Sequence, residues 1–255
     1  LKLKKISNKV ICMNIVSLAP SNTEILYEIG AGDKITGTTS LCDYPEEATN
    51  KSSVGGWTNP RVDRLEELEP DLVIASDDLQ DGAVERVREA GFDVLQVKPH
   101  SLDEVLESII EIGEIVGHEQ EANNLVKEMK SELEEINLED SPRIYCEEWM
   151  DPPMVSANWI PGVIQRIGGD YFIDEGRSRS FELEKLKQFD PEYIFLNVCG
   201  AGENLNPDEI LKRDDWQEIT AVKNENVFVL DDAFLNRPGP RLVEGARKIA
   251  EKIEK

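Results

Sequence analysis

Histidine is nearly missing from this chain: of 255 residues only His100 and His118 are histidine. Cysteine is sparse too. Cys12, Cys42, Cys146 and Cys199 are scattered with no C-x-x-C pair, so neither a zinc site nor a thioredoxin-like centre is expected, and no metal site is predicted. The sequence has no G-x-x-x-x-G-K-[ST], no G-x-G-x-x-G and no G-x-S-x-G, which removes the P-loop, the dinucleotide fingerprint and the nucleophile elbow. Gly30-Ala31-Gly32 follows a helix-like stretch, not a strand, and so lacks the context for cradling a pyrophosphate. Basic residues are few: 28 Lys and Arg against 52 Asp and Glu, a net charge of −24. Phosphate backbones and anionic lipids are held by clustered Lys and Arg, so nucleic acid and acidic membrane surfaces are excluded as partners. The acidity reads as a solubility device. No apolar run approaches the ~18–20 residues of a membrane span.

Leu1–Met13 carries Lys2, Lys4, Lys5 and Lys9, followed by only four apolar residues, Val10-Ile11-Cys12-Met13. A signal-peptide core needs ~7–15. As written, the chain is therefore expected in the cytoplasm, with Met13 a sensible start. If it is a mature fragment, an extracytoplasmic or periplasmic place follows instead.

What the chain does have is 40% hydrophobic residues, enough for a core. Strand-like runs at Ile15–Leu18, Ile35–Thr38, Leu72–Ala75 and Asp93–Val97 alternate with helical stretches, the signature of a parallel α/β sheet. The helix after the first strand is predicted to start with Ser21 as N-cap and Glu24 as its capping-box partner, and to stop at Gly30. Ser101 with Glu104 makes a second capping box. Behind it, apolar residues from Leu102 to Val116 and from Ala122 to Ile136 recur at three- and four-residue steps, giving two helices without a Gly/Ser linker. A new strand starts at Arg143, and a final helix is predicted from Pro240 to Ile253.

An internal repeat divides the chain. Leu65-Glu-Glu-Leu-Glu-Pro-Asp-Leu-Val-Ile-Ala-Ser76 aligns without gaps on Leu186-Lys-Gln-Phe-Asp-Pro-Glu-Tyr-Ile-Phe-Leu-Asn197. Each copy has an acid two residues before it, Asp63 and Glu184. The expected architecture is α/β, with two Rossmann-like lobes bridged by long helix: residues 13–100, connecting helices 101–140, and 141–255.

Three tryptophans stand in loops of these lobes: Trp57 in Val54-Gly-Gly-Trp-Thr-Asn-Pro60, and Trp149 and Trp159 flanking Asp151-Pro152-Pro153-Met154-Val155-Ser156. Stacked aromatics bury ~150–250 Å² each, worth up to ~4–6 kcal/mol, against ~4–15 kcal/mol of lost freedom on binding. A few of them with hydrogen bonds suffice to hold a broad flat guest without catalysis. His100, at a strand end, is the one hint of an α/β enzyme, for instance a metal-inserting one. His118 falls between two helices, where a capping or exposed histidine is expected.

Ile15-Val-Ser-Leu-Ala-Pro-Ser-Asn-Thr-Glu24, Cys42-Asp-Tyr-Pro-Glu46, Gly56-Trp57 and Leu68-Glu-Pro-Asp-Leu-Val-Ile74, with Asp151-Pro152-Pro153, Gly168-Gly169 and Asn236-Arg237-Pro238-Gly239-Pro240-Arg241, resemble the cobalamin-binding branch of the helical-backbone (class III) substrate-binding proteins of ABC importers. The wider group also carries haem and ferric siderophores. The resemblance implies a ligand in a cleft between lobes, no catalysis, no intrinsic cofactor and a monomer. Trp57 then packs on the corrin. Leu41 falls where a Tyr lines the site, Met154 where Phe is common, and Arg237 near the ligand's amide-rich edge; Trp159 is assigned by position. Asp63 and Glu184 fall where the family carries one acid per lobe to engage permease arginines. An anionic siderophore would want several cations, and Arg237, Arg241 and Arg179 are the candidates.

Overall fold

The computed structural model describes residues 13–254. The expectations about the first twelve residues, Cys12 included, lie outside the described residues. The described residues divide into two compact units. One runs to Pro99 and adds Leu106–Lys127; the other comprises His100–Val105 and the chain from Glu128 onward.

In the first unit β1 (Ile15–Ser17), β2 (Ile35–Thr38), β3 (Ser52–Ser53), β4 (Leu72–Ser76) and β5 (Val94–Val97) form a five-stranded sheet in the order β3-β2-β1-β4-β5. Every pairing is parallel. β4 is buried along its whole length, as its unbroken apolar run requires of a strand covered on both faces. Helices α1 (Pro20–Glu28), α2 (Val62–Leu68) and α3 (Asp81–Glu89) return the chain between strands. Leu65 of α2 and Val84 and Val87 of α3 close a core with Val16, Leu18, Val54, Val73 and Ala75.

The predicted cap of α1 is corrected. The helix starts two residues earlier, with Pro20 at its first position and Ala19 as an N-cap that makes no side-chain bond. Proline's fixed φ suits that position, and Ser21 and Glu24 are buried within the helix instead. The C-terminal stop stands as read. Gly30 takes φ 77°, and Ala31 N–H donates to Leu26 O at 2.7 Å while Gly30 N–H donates to Tyr27 O at 3.0 Å, a Schellman closure.

Helices α4 (Leu102–Val116) and α5 (Glu119–Glu135) follow. Ser101 Oγ accepts from Glu104 N–H at 3.2 Å, as the capping box predicts. The Glu104 carboxylate reaches one residue further back, to His100 N–H at 2.6 Å.

The second unit holds β6 (Arg143–Met150), β7 (Pro153–Val155), β8 (Asp170–Tyr171), β9 (Arg179–Ser180), β10 (Tyr193–Leu196) and β11 (Val227–Val229), with helices α6 (Ile160–Arg166), α7 (Leu183–Phe189), α8 (Asp208–Leu211), α9 (Thr220–Lys223) and α10 (Leu242–Ile253). Strand order is β11-β10-β6-β7-β9, with β8 also on β6. β11, β10, β6 and β8 pair in parallel, whereas β7 runs antiparallel to both neighbours. The stretch read as a loop after the first strand of this lobe is therefore a hairpin, with β6 extending to Met150. The final helix starts at Leu242, because Leu242 and Val243 N–H bond three residues back to Gly239 and Pro240 carbonyls before the α pattern sets in.

The repeat is structural. A shift of 121 residues carries Val62–Leu68 onto Leu183–Phe189 and Leu72 onto Tyr193. It carries the left-handed C-cap Glu69 (φ 45°) onto Asp190 (φ 50°) and buried Leu65 onto buried Leu186. No helix among the described residues is long and apolar enough to cross a membrane.

Candidate ligand-binding surfaces

Open α/β sheets bind ligands at the carboxyl ends of their strands. In the first unit those ends carry Leu41 after β2, Trp57 after β3 and the turn Asp77–Gln80 after β4. Among the described residues four large hydrophobic side chains are exposed: Leu41 (52%), Tyr44 (41%), Leu79 (63%) and Trp149 (49%). Three stand on strand-end loops of the first unit, and Trp149 stands one residue from the end of β6. Within each unit, the exposed large hydrophobics among the described residues thus stand at or near strand ends.

Trp57 is half-buried and its loop is tied at several points. Gly55 bridges to Pro60, Asn59 N–H donates to Gly56 O at 3.2 Å, and Arg86 Nη2 donates to Thr58 O at 3.1 Å. Gly55 takes φ 102°, and a Cβ there would stand 3.0 Å from Asn59 O, so the loop needs glycine. Trp57 O accepts from Gln80 Nε2 at 2.6 Å. Leu41 sits in a turn closed by Cys42 N–H to Thr39 O at 3.1 Å.

In the second unit Met154, half-buried on β7, is the cross-strand partner of Trp149. The Trp149 indole N–H donates to Asp151 O at 3.0 Å. The hairpin's base is held by a buried ion pair. Arg213 Nη1 and Nη2 donate to the Glu147 carboxylate at 2.8 and 2.7 Å, Nη2 also donates to Met150 O at 3.0 Å, and the guanidinium lies 4.5 Å over the Trp216 ring. Burial pushes the Glu147 carboxyl above its ordinary value, partly offset by the bonds from Arg213 and from Tyr145.

Trp159, placed at the site by position, is buried at 6%, and its indole N–H donates to Leu235 O at 2.7 Å. It braces the chain two residues before half-buried Arg237 and presents no open face. Trp149 is the tryptophan of this lobe that reaches solvent. The register of β6 on β7 shifts between Glu147 and Trp149, so fully buried Tyr145 and Glu147 are followed by an exposed Trp149, and a simple period of two does not find it.

Asp63 and Glu184 are each the second residue of their helix, α2 and α7. Both are exposed, at 59% and 77%. Because each helix leads into a parallel strand, its N-terminus lies on the strand-end side of its own sheet. The hydrogen bond from Arg61 holds the Asp63 carboxyl below its ordinary value, and Lys187 Nζ stands 3.5 Å from Glu184. His100 is exposed and His118 half-buried, 3.9 Å from Glu121. No group of three His, Cys, Asp or Glu able to hold a metal occurs among the described residues. A pocket of about 520 Å³ in the second unit, walled by Phe172, Phe181 and Phe189, is lined by Arg179 but not by Trp57, Leu41, Met154, Trp159 or Arg237. Arg179 there donates to the carbonyls of Glu175 and Arg177 at 3.1 and 2.9 Å.

A family model described as periplasmic binding protein matches residues 15–234. An uncharacterized ABC transporter substrate-binding lipoprotein of Bacillus subtilis, YvrC, is 34% identical over 94% of this chain and 79% of its own. A vitamin B12-binding protein of Vibrio vulnificus is 26% identical over 93% and 88%. Among solved structures, a possible iron-binding periplasmic solute-binding protein of Staphylococcus epidermidis superposes with a TM-score of 0.82 at 26% identity, covering 95% of this chain and 99% of that one.

Proposed function

The chain belongs to the periplasmic binding protein family, a family of binding proteins and not enzymes, and from that premise we propose that it holds cobalamin or a related corrinoid for an ABC importer. The observation that carries this reading is that in each unit the exposed large hydrophobics stand on strand-end loops: Leu41, Tyr44 and Leu79 in the first, whose half-buried Trp57 follows β3, and Trp149 in the second. A wide macrocycle with apolar faces is what such a surface receives by area burial. A corrinoid brings its own metal with its own in-plane ligands, so the protein need supply none. Its rim of amides asks for hydrogen bonds more than for cations. In the second unit Arg237 and Arg241 suit such a rim, and the Arg241 guanidinium already stacks 4.5 Å over Phe234; in the first, Lys98 at the end of β5 is engaged by Asp78 at 3.3 Å.

On this reading Trp57, Leu41 and Met154, joined by Trp149, touch the ligand, Arg237 meets its edge, and Trp159 braces the Arg237 segment. The protein acts as a monomer, and Asp63 and Glu184 meet arginines of the permease. A haem or other iron-bearing ligand is the second reading. Tyr44 favours it, because an exposed phenol beside Leu41 is a candidate axial ligand for iron.

Spectral and tryptophan-quenching titrations with cyanocobalamin, haemin and a ferric siderophore separate these. Saturable quenching by cyanocobalamin, lost about tenfold or more in affinity in Trp57→Ala, is expected. Tight haemin binding with a Tyr44-dependent Soret shift, and none of cyanocobalamin, gives the second reading. No binding of any of the three rejects both.

A further inference from the structure

Gln80 is fully buried and uses its whole carboxamide on three different strand-end segments. Its Oε1 accepts from Ser76 N–H at 2.6 Å, at the end of β4. Its Nε2 donates to Leu18 O at 3.0 Å, just beyond β1, and to Trp57 O at 2.6 Å, in the loop after β3. Both amide hydrogens are spent on these carbonyls, and Leu18 O accepts as well from Thr39 Oγ1 at 3.4 Å.

The turn that delivers Gln80 is itself held in a conformation L-residues rarely take. Asp77 has φ 63° and ψ 156°, a region populated almost only by glycine. It persists because its neighbours over-determine it. Asp77 N–H donates to Val97 O at 3.0 Å, Gln96 Nε2 donates to Asp77 O at 2.9 Å, and the Asp77 carboxylate accepts from Leu79 N–H at 2.8 Å. A turn built this way points Gln80 inward and leaves Leu79 as the most exposed large hydrophobic residue described, at 63%. A leucine fixed outward beside a staple of the tryptophan loop is poor economy for stability alone, since neither the strained Asp77 nor the exposed Leu79 adds to the core.

We propose that the Asp77–Gln80 turn is a specificity element of the ligand face, in which Gln80 is the positioning residue for Trp57 and Leu79 is an additional apolar contact for the ligand. The proposal rests on the ligand reading given above. Gln80 keeps the indole-bearing loop ordered before the guest arrives, so less freedom is lost on binding.

The test uses the full chain labelled with 5-fluorotryptophan, its four ¹⁹F resonances assigned by single Trp→Phe variants. Gln80→Met, close in volume but without donor or acceptor, is expected to shift or broaden the Trp57 resonance while those of Trp149, Trp159 and Trp216 hold. Cyanocobalamin affinity falls about two- to tenfold. Gln80→Glu keeps the acceptor for Ser76 N–H and loses the donor to both carbonyls, and it serves if Gln80→Met does not fold. Leu79→Ser, on an exposed site, is expected to leave all four resonances and the urea midpoint in place and to weaken binding about five- to tenfold. An unmoved Trp57 resonance in the Gln80 variants, or unchanged affinity in Leu79→Ser, overturns the proposal. If the unsubstituted protein binds neither cyanocobalamin nor haemin, it is the ligand reading that fails, and the Trp57 resonance still decides whether Gln80 positions that loop.

Discussion

Asn197 and Asn236 hold each other by two hydrogen bonds in opposite directions. Asn197 Nδ2 donates to Asn236 Oδ1 at 2.6 Å, and Asn236 Nδ2 donates back to Asn197 O at 2.9 Å. Asn197 is fully buried at the end of β10, and Ser156 Oγ donates to its Oδ1 at 3.1 Å. The residue that follows this doubly tied pair is Arg237. Truncating Asn236 to Ala leaves a buried amide and a carbonyl without their partner, at about 1–3 kcal/mol. If Arg237 meets the ligand, affinity falls about tenfold at the same time. Urea unfolding and a ligand titration on one preparation read both, and a stability loss with affinity intact would separate the pair from binding.

Trp149 and Trp159 are expected to part company. Trp149→Ala touches an exposed side chain, so unfolding free energy changes by about 0.5 kcal/mol or less while ligand quenching and affinity drop. Trp159→Phe deletes the donor to Leu235 O in a buried setting and costs about 1–3 kcal/mol of stability, with a smaller effect on affinity. Equal behaviour of the two variants would remove the distinction between a ligand-facing and a bracing indole.

Much of this architecture was legible from residue patterns because the signals were local. Pro-acid turns between a helix end and an apolar run set α2–β4 and α7–β10 in the same frame, and Gly30 marked a Schellman stop by itself. The ligand-facing residues were legible only as single positions. Gln80 lies in a polar stretch, Asp77-Asp78-Leu79-Gln80, with no periodicity. Its importance comes from bonds to Leu18 and Trp57, 62 and 23 residues away, which no spacing rule encodes. Position alone assigns Trp159 to the site and not Trp149; burial reverses them, because Trp159 caps α6 under Leu235 while Trp149 stands past the register shift near the open end of β6. The hairpin of β6 and β7 was hidden by its prolines, which propensity assigns to turns.

The Glu147–Arg213 pair offers a test of what anchors that hairpin. Both side chains are largely withdrawn from water, with Glu147 fully buried and Arg213 at 17%. Breaking a buried pair from one side leaves a charge uncompensated, so Arg213→Met is expected to cost about 3–5 kcal/mol. Replacing both, Glu147→Met with Arg213→Met, is expected to recover most of that loss. A double-mutant cycle by urea denaturation checks it, and a double variant as unstable as the single one would mean that the bond to Met150 O, not charge pairing, carries the effect.

Asp190 gives the chain a defined acid response. Burial pushes its carboxyl up, but the N–H and hydroxyl of Thr220, at 2.7 and 2.8 Å, with Arg143 and Lys223 nearby, outweigh that and leave it below the usual range. A carboxyl depressed on folding contributes stability that is complete above its unfolded value, near ~4, and is lost as pH falls through the folded value. Asn tolerates the φ of 50° here and lacks the charge. Asp190→Asn is therefore expected to be less stable than the parent at pH 7 and pH 5, with the difference closing as pH drops below about 4. Urea midpoints at four pH values read this directly; a difference that stays constant across them would assign the effect to geometry alone.

Asp63 and Glu184 make the last prediction, which tests the importer and not the ligand. Each is exposed at the second position of a repeated helix, so removing either carboxylate leaves the core untouched, and an exposed pair contributes only ~0.2–1 kcal/mol. Two such contacts, one per lobe, act mainly on orientation and encounter. Asp63→Ala and Glu184→Ala are each expected to leave ligand affinity within about twofold of the parent, while lowering stimulation of the transporter's ATPase by loaded protein in proteoliposomes. The double variant is expected to lose more than either alone, with a weaker dependence on ionic strength because the salt-screened contacts are gone. Asp63 is already paired with Arg61, so Arg61→Ala frees its carboxylate and is expected to raise coupling. A double variant that couples as well as the parent would place the docking surface elsewhere on the protein.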